Sequence, residues 1–160
     1  MADPRRAGAA AHRHRGAVRR VGPAVTRSAS ATRFAGYAAL FDIADAARDT
    51  IRRGAFARTL AARSAPLPLY WQHRPDQPIG VIEQVSEDAR GLRVIARIDR
   101  PDSRAAHLLA EGKVNGLSFG FRTRAARQSD AGRELLDVEL FEVSLVTHPL
   151  HPLARVHLVT

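Results

Sequence analysis

Short apolar segments that follow one another, with turn residues between them, restrict the fold of this chain more than any other feature. Seven such segments have the length and composition of β-strands: 33–41, 67–73, 79–85, 92–98, 116–123, 135–147 and 156–159. They occur in consecutive runs instead of alternating strictly with helices, as strands of a parallel α/β fold would. The pattern predicts a mainly β fold with flanking helices, an antiparallel barrel or sandwich of about seven strands.

Two segments between the predicted strands have helical features. Residues 55–63 place Phe56 and Leu60 on one face at i, i+4 spacing. Asp102 or Ser103 can cap a second helix that runs to about Glu111. We expect loops where acidic, proline-rich or polar residues predominate, at 42–49, 74–78 and 124–133.

The net charge of the 160-residue chain, +9, is concentrated at its N-terminal end. Residues 1–32 carry seven arginines against one acidic residue, a net charge of +6 that leaves only +3 for the remaining 128 residues. Because this stretch has few large apolar side chains, we expect a disordered tail at 1–32 and one folded domain at 33–160. Such a tail can bind nucleic acid nonspecifically through contacts with the phosphates, or it can be a solvated end. Its composition also resembles that of a transit peptide.

Composition also excludes several classes of protein and site. The chain has no cysteine, so disulfides, thiol catalysis and zinc–thiolate sites are excluded. No apolar stretch approaches the ~18 residues of a membrane-spanning helix, so we expect no membrane contact. His148, His151 and His157 are close in sequence, but they lie in a proline-interrupted segment without the spacing of a metal site. We therefore predict neither a metal nor a cofactor.

Ser118 is the first candidate for chemistry. It lies between Gly116 and Gly120 in a segment that literally matches the G-x-S-x-G nucleophile elbow. That elbow requires a helix directly after the serine in a large parallel sheet, whereas residues 121–124 continue as strand and turn. The motif alone therefore does not identify a nucleophile, and Ser118 can equally be a small residue where strands crowd together.

His73 and Glu142 are the other two candidates. His73 ends an aromatic run at the edge of a predicted strand, and its alternative is a partly buried structural histidine. Glu142 lies in a core-like strand where a carboxylate is costly unless it is paired. Such a carboxylate can accept a hydrogen bond from an imidazole and fix its tautomer. Asp137 and Glu139 are competing acids, although both have the pattern of solvent-facing residues.

Taken together, several segments resemble, in their order along the chain, the prohead maturation proteases of tailed phages and the gene transfer agents related to them. The resemblance covers roughly residues 33–158 and is carried by 34–41, 53–56, 68–73, 78–80, 116–121 and 140–146. It implies a serine-type endopeptidase with Ser118 as nucleophile, His73 as general base and Glu142 as the third member of a triad. His148 is a weaker candidate for the third position, because it lies beyond the strand.

The same resemblance implies a fold, substrates and partners. This family is distantly similar to the herpesvirus assemblins, whose fold is an antiparallel β-barrel surrounded by helices. The implied substrates are the scaffolding segment of the major capsid protein or a separate scaffold, and the protease's own ends, inside a procapsid in the bacterial cytoplasm. A homodimer is also implied, because assemblins are active as dimers. The alternative is a non-enzymatic capsid-assembly or nucleic-acid-binding protein that acts through residues 1–32.

Overall fold

The computed structural model describes residues 31–160. Within that range the chain forms eight strands and two short helices. In chain order they are β1 (Thr32–Leu40), β2 (Asp49–Ile51), α1 (Ala57–Ala61), β3 (Leu67–Trp71), β4 (Arg74–Glu87), β5 (Gly91–Ile98), α2 (Arg104–Ala110), β6 (Gly116–Ser129), β7 (Gly132–Val146) and β8 (Val156–Val159). No helix in this range is long and apolar enough to cross a membrane.

All eight strands belong to one sheet in the order β2-β7-β3-β4-β5-β1-β8, and β6 pairs with β7. The sheet curls, because backbone hydrogen bonds join the chain at the start of β6 to the chain at the start of β8: Leu117 N–H donates to Ala154 O at 2.9 Å, and Val156 N–H to Asn115 O at 2.8 Å. The predicted mainly β, barrel-like fold with flanking helices is confirmed. Two short pairings, β2 with β7 and β3 with β7, are parallel.

Strand β7 is the centre of this arrangement. It pairs with β6 in an antiparallel ladder from Gly116–Val146 to Ser129–Gly132, and its other edge carries β2 near one end and β3 near the other. Leu117, Val143 and Leu145 face the core with no exposed surface. Burying a side chain of this kind contributes about 1.5–3 kcal/mol, so the register of β6, β7 and β3 is strongly determined.

Two loop predictions are wrong, and the bounds of a third loop and of a helix differ from those expected. Residues 74–78 begin β4 instead of forming a loop, because the turn before them takes only two residues. Residues 124–133 form the end of a hairpin, where cross-strand ion pairs such as Arg127 with Glu134 accompany the backbone ladder. The stretch 42–49 reaches into β2, and α1 is shorter than the expected 55–63. The polar strands of a hairpin are not predicted from alternating apolar residues, because neither of their faces needs to be buried.

The predicted disordered tail, 1–32, falls almost wholly outside the described residues. Strand β1 begins at Thr32, one residue before the expected start of the domain. The division into tail and domain therefore stays a prediction.

Candidate active site

The pairing of β6 with β7 places four small or polar residues in two adjacent cross-strand positions. Ser118 lies opposite Ser144, and Gly120 lies opposite Glu142. Residues directly opposite one another in an antiparallel pair project from the same face, with Cβ atoms about 4.5–5.5 Å apart. These four residues therefore share the face that points away from the core.

His73 reaches this face from a tight turn. The turn consists of Gln72 and His73, between the paired residues Trp71 and Arg74 that end β3 and begin β4. Both turn residues have left-handed backbones, with φ of 54° and 58°. Turns with two such residues strongly favour Asn-Gly, and each non-glycine residue costs about 1 kcal/mol in this conformation. Strain of this size persists only where the surroundings hold it in place.

The imidazole of His73 is paired with the carboxylate of Glu142. His73 Nδ1 lies 2.6 Å from Glu142 Oε1. The carboxylate is buried, with 10% of its side chain exposed, whereas 44% of the imidazole is exposed. A hydrogen bond at Nδ1 assigns the proton to that nitrogen and leaves Nε2 as a proton acceptor on the exposed side of the ring.

Ser144 links the two members of this pair. Its Oγ accepts a hydrogen bond of 3.1 Å from the backbone N–H of His73 and donates one of 2.6 Å to Glu142 Oε2. Ser144 is fully buried. No role for Ser144 was predicted from the sequence. The feature that could have indicated one is its position two residues after Glu142, on the same strand face.

Gly120 makes room for the carboxylate. A Cβ atom at this position would lie 2.6 Å from Glu142 Oε1 and 3.0 Å from Glu142 Cγ. The second glycine of the G-x-S-x-G segment therefore has a role unrelated to a nucleophile elbow, because it lets Glu142 lie flat across β6 and reach His73.

Ser118 is half-buried, and although its backbone lies in the β6–β7 ladder, its hydroxyl makes no hydrogen bond to any residue in the described range. It also lines a small, mainly apolar cleft whose walls include Ile43, Phe119, Leu150 and His151. His151 is buried, its Nδ1 accepts a 3.2 Å hydrogen bond from Leu153 N–H, and burial lowers the pKa of its imidazole. The hydroxyl of Ser118 is thus not used in a hydrogen bond within the described range, and a cleft lies beside it.

The structure places the competing residues elsewhere. Asp137 pairs with Arg58 and Glu139 with Arg122, and both carboxylates are partly buried instead of solvent-facing. The Nδ1 atom of His148 lies 3.0 Å from the hydroxyl of the preceding residue, Thr147. Within residues 31–160, no group of three or more histidine or acidic side chains is arranged to hold a metal ion.

Comparisons with known proteins identify the family and the fold of this chain. The family described as caudovirus prohead serine protease matches residues 22–160. A prohead protease of Enterobacteria phage HK97 is 31% identical over 130 residues, which are 77% of this chain and 58% of that protein. A capsid polyprotein of Pseudomonas phage PAJU2 is 30% identical over 102 residues, 57% of this chain and 15% of the polyprotein. The chain therefore spans little more than half of the first relative and a small part of the second.

Two solved structures share the fold. A KSHV protease in complex with a hexapeptide phosphonate inhibitor superposes with a TM-score of 0.58 at 14% identity, covering 81% of this chain and 65% of that one. The varicella-zoster virus protease gives a TM-score of 0.53 at 17% identity, covering 79% and 63%. The fold is thus that of the herpesvirus proteases, as the sequence resemblance implied. With the family match over most of its length, the chain belongs to the caudovirus prohead serine protease family.

Proposed function

We propose that this chain is a serine endopeptidase of procapsid maturation, in which Ser118 is the nucleophile, His73 the general base and Glu142 the group that orients the base. The observation that carries the proposal is the 2.6 Å hydrogen bond between His73 Nδ1 and Glu142 Oε1. It occurs on the strand face that also carries Ser118, one cross-strand position away. A buried carboxylate bonded to a half-exposed imidazole beside a free serine hydroxyl is the arrangement that acyl transfer requires.

The chemistry follows from this arrangement. Glu142 accepts the hydrogen bond from Nδ1–H, so Nε2 is free to take the proton of the Ser118 hydroxyl as its oxygen attacks a peptide carbonyl. The imidazolium then gives this proton to the departing amine, which leaves an ester between Ser118 and the acyl half of the substrate. Water, activated in turn by Nε2, hydrolyses the ester and restores the hydroxyl. Catalytic hydrogen bonds are often long or absent before substrate binds, which accounts for the unbonded Ser118.

The substrates we propose are the scaffolding segment of the major capsid protein and the ends of the protease itself. Supporting this assignment, one relative is a phage prohead protease and another is a capsid polyprotein. The place of action would be the interior of the assembling procapsid in the host cytoplasm. We also propose that the enzyme works as a homodimer, as the resemblance to the assemblins implies.

Co-expression with the major capsid protein of the same phage or prophage tests the activity. Wild type and Ser64→Ala, which removes an exposed serine outside the site, are expected to trim the capsid protein. Ser118→Ala is expected to leave it full length. Trimming that persists in Ser118→Ala, measured by mass spectrometry of the capsid protein, would show that another group is the nucleophile.

The alternative function, a non-enzymatic assembly or nucleic-acid-binding protein acting through its arginine-rich tail, has a separate test. Deleting residues 1–30 is expected to abolish salt-sensitive retention on DNA while leaving capsid trimming intact. Retention that is unchanged by the deletion would refute a nucleic-acid role for the tail. Trimming that fails with the tail present and Ser118 intact would favour the non-enzymatic alternative.

A further inference from the structure

We propose that Ser144 is a positioning residue for catalysis, whose buried hydroxyl holds both the backbone of His73 and the carboxylate of Glu142. This inference rests on the proposed serine-protease mechanism and adds a fourth residue to it. Ser144 would not contact the substrate. It would act through the two residues to which it is bonded.

The hydrogen bonds around Ser144 form a closed ring. The His73 backbone N–H donates to Ser144 Oγ at 3.1 Å, Ser144 Oγ donates to Glu142 Oε2 at 2.6 Å, and Glu142 Oε1 bonds to His73 Nδ1 at 2.6 Å. The ring begins and ends on the same residue. It therefore determines the orientation of the imidazole relative to its own backbone, and each carboxylate oxygen has one assigned partner.

Only a hydroxyl satisfies both neighbours of residue 144. A serine hydroxyl accepts and donates at once, so it can take the His73 N–H and still donate to the carboxylate. With Ser144→Ala, the His73 N–H and Glu142 Oε2 both lose their partner at a position with no solvent exposure. The same two bonds explain why Ser144 is not itself a nucleophile, although it lies directly opposite Ser118. Its hydroxyl is fully buried and fully used.

The hydrogen bond from the His73 N–H to Ser144 Oγ also stabilises a strained turn. Gln72 and His73 both hold left-handed backbones, which the turn cannot maintain by itself. Three contacts to β7 and the residue after it fix the turn. The His73 N–H donates to Ser144 Oγ, and the Gln72 N–H donates to Leu145 O at 3.1 Å. The third contact is reciprocal: Gln72 Nε2 donates to Thr147 Oγ1 at 3.2 Å, and Thr147 N–H donates to Gln72 Oε1 at 3.3 Å. Ser144 is the contact adjacent to the base, so its loss loosens the imidazole.

A serine-reactive fluorophosphonate probe measures this effect without a known substrate. Its rate of reaction with Ser118 depends on the general base, and mass spectrometry identifies the labelled serine. We expect Ser144→Ala to lower the rate about 10- to 100-fold, because displacements near 1 Å in a catalytic group have effects of that size. We expect the pH–rate curve of Ser144→Ala to change in the same way as that of Glu142→Gln, because both substitutions disturb the carboxylate that orients the imidazole. Ser144→Thr, which retains the hydroxyl, is expected to recover part of the rate.

Thr59→Val is the matched control. The Thr59 hydroxyl is also buried and also bonds to β7, accepting from Leu140 N–H at 3.1 Å, but it lies outside the ring. This variant removes a buried hydroxyl of similar structural value, so we expect a lower melting temperature and an unchanged pH–rate curve. A Ser144→Ala variant that behaves in the same way would show a structural role only and overturn the proposal.

A double-mutant cycle and an NMR measurement complete the test. In a Glu142→Gln background, we expect Ser144→Ala to reduce the labelling rate by much less than in wild type, because most of its effect passes through the carboxylate. Equal effects in both backgrounds would contradict the proposal. If wild type is not labelled at Ser118 at all, the proposed function fails. In that case ¹⁵N-histidine NMR still tests the geometry of the hydrogen bond to His73 Nδ1. The signal of this nitrogen must change in Ser144→Ala and must not change in Thr59→Val.

Discussion

Replacing Gly120 with alanine tests the His73–Glu142 pair without altering either member. A Cβ atom at residue 120 would lie 2.6 Å from Glu142 Oε1, whereas ordinary contact begins at 3.4 Å. The carboxylate oxygen must therefore move by roughly 0.8 Å, the difference between these two distances. The hydrogen bond to His73 Nδ1 is 2.6 Å long, so a movement of that size disrupts it. A misplacement of about 1 Å costs on the order of 10²-fold in rate, or about 2.7 kcal/mol in the activation barrier.

Stability should change far less than activity. The atoms that must move, Oε1, Cγ and Cδ of Glu142, all belong to one side chain and none to the backbone, and Gly120 is not among the residues with positive φ. Alanine also restricts the unfolded chain, which contributes about 0.4–1 kcal/mol in favour of the fold. We therefore expect the free energy of unfolding to remain within about 1 kcal/mol of wild type. Fluorophosphonate labelling of Ser118 and urea denaturation measure the two quantities on the same sample.

Gly36→Ala is the contrasting control. Its Cβ would lie 2.3 Å from the backbone oxygen of Arg155, which cannot rotate away, so this variant should lose stability through the β1–β8 pairing. A folded Gly120→Ala protein that labels within about threefold of wild type would refute the reasoning, because a threefold change is less than 1 kcal/mol in the barrier. It would mean that Glu142 does not orient the base.

Two further predictions concern the turn and the buried histidine. His73→Gly should be more stable to urea than His73→Ala by about 1 kcal/mol, because both lack the imidazole and only glycine adopts φ of 58° without strain; equal stabilities would show that the turn relaxes. Burial lowers the pKa of His151, so the unfolded chain binds more protons below its ordinary value of 6.5. The contribution of neutral His151 to the free energy of unfolding is complete above about pH 6.5. It is lost as the pH falls through the lower pKa that His151 has in the folded state. As the pH falls below about 6.5, urea midpoints should therefore fall more steeply in wild type than in His151→Asn; parallel curves would contradict this.

Much of the fold could be predicted from local patterns. The apolar runs that became β3, β5 and β7 have strand-like composition, and their consecutive order excluded a parallel α/β sheet. The stretches that escaped prediction are β2 and the polar segments 74–78 and 124–129. Three residues are too few to show a periodic pattern, and a strand with little buried surface leaves no such pattern. The parallel pairing of β3 with β7 was also not predictable, since partners so distant along the chain leave no local trace.

The three candidate site residues were chosen from the sequence by type and order, and each lies on or beside one face of the β6–β7 pair. The order of the surrounding segments, which resembles that of the prohead proteases, implied Ser118 as nucleophile, His73 as base and Glu142 as acid, and these roles stay a prediction. The remaining parts of the site, Gly120 and Ser144, are common residue types, and their positions beside Ser118 and Glu142 in the sequence do not specify what they do. Their roles depend on what lies opposite them.

The sequence by itself determined a mainly β domain and the chemical groups available to it. The tertiary structure decided which of those groups meet. His73 is 69 residues from Glu142 and 71 from Ser144, so no local preference can bring them together. The β6–β7 register does so, and that register follows from burial of Leu117, Val143 and Leu145 on the opposite face. A shift by one residue would exchange the two faces and turn Ser118 into the core, which is why packing determines the site.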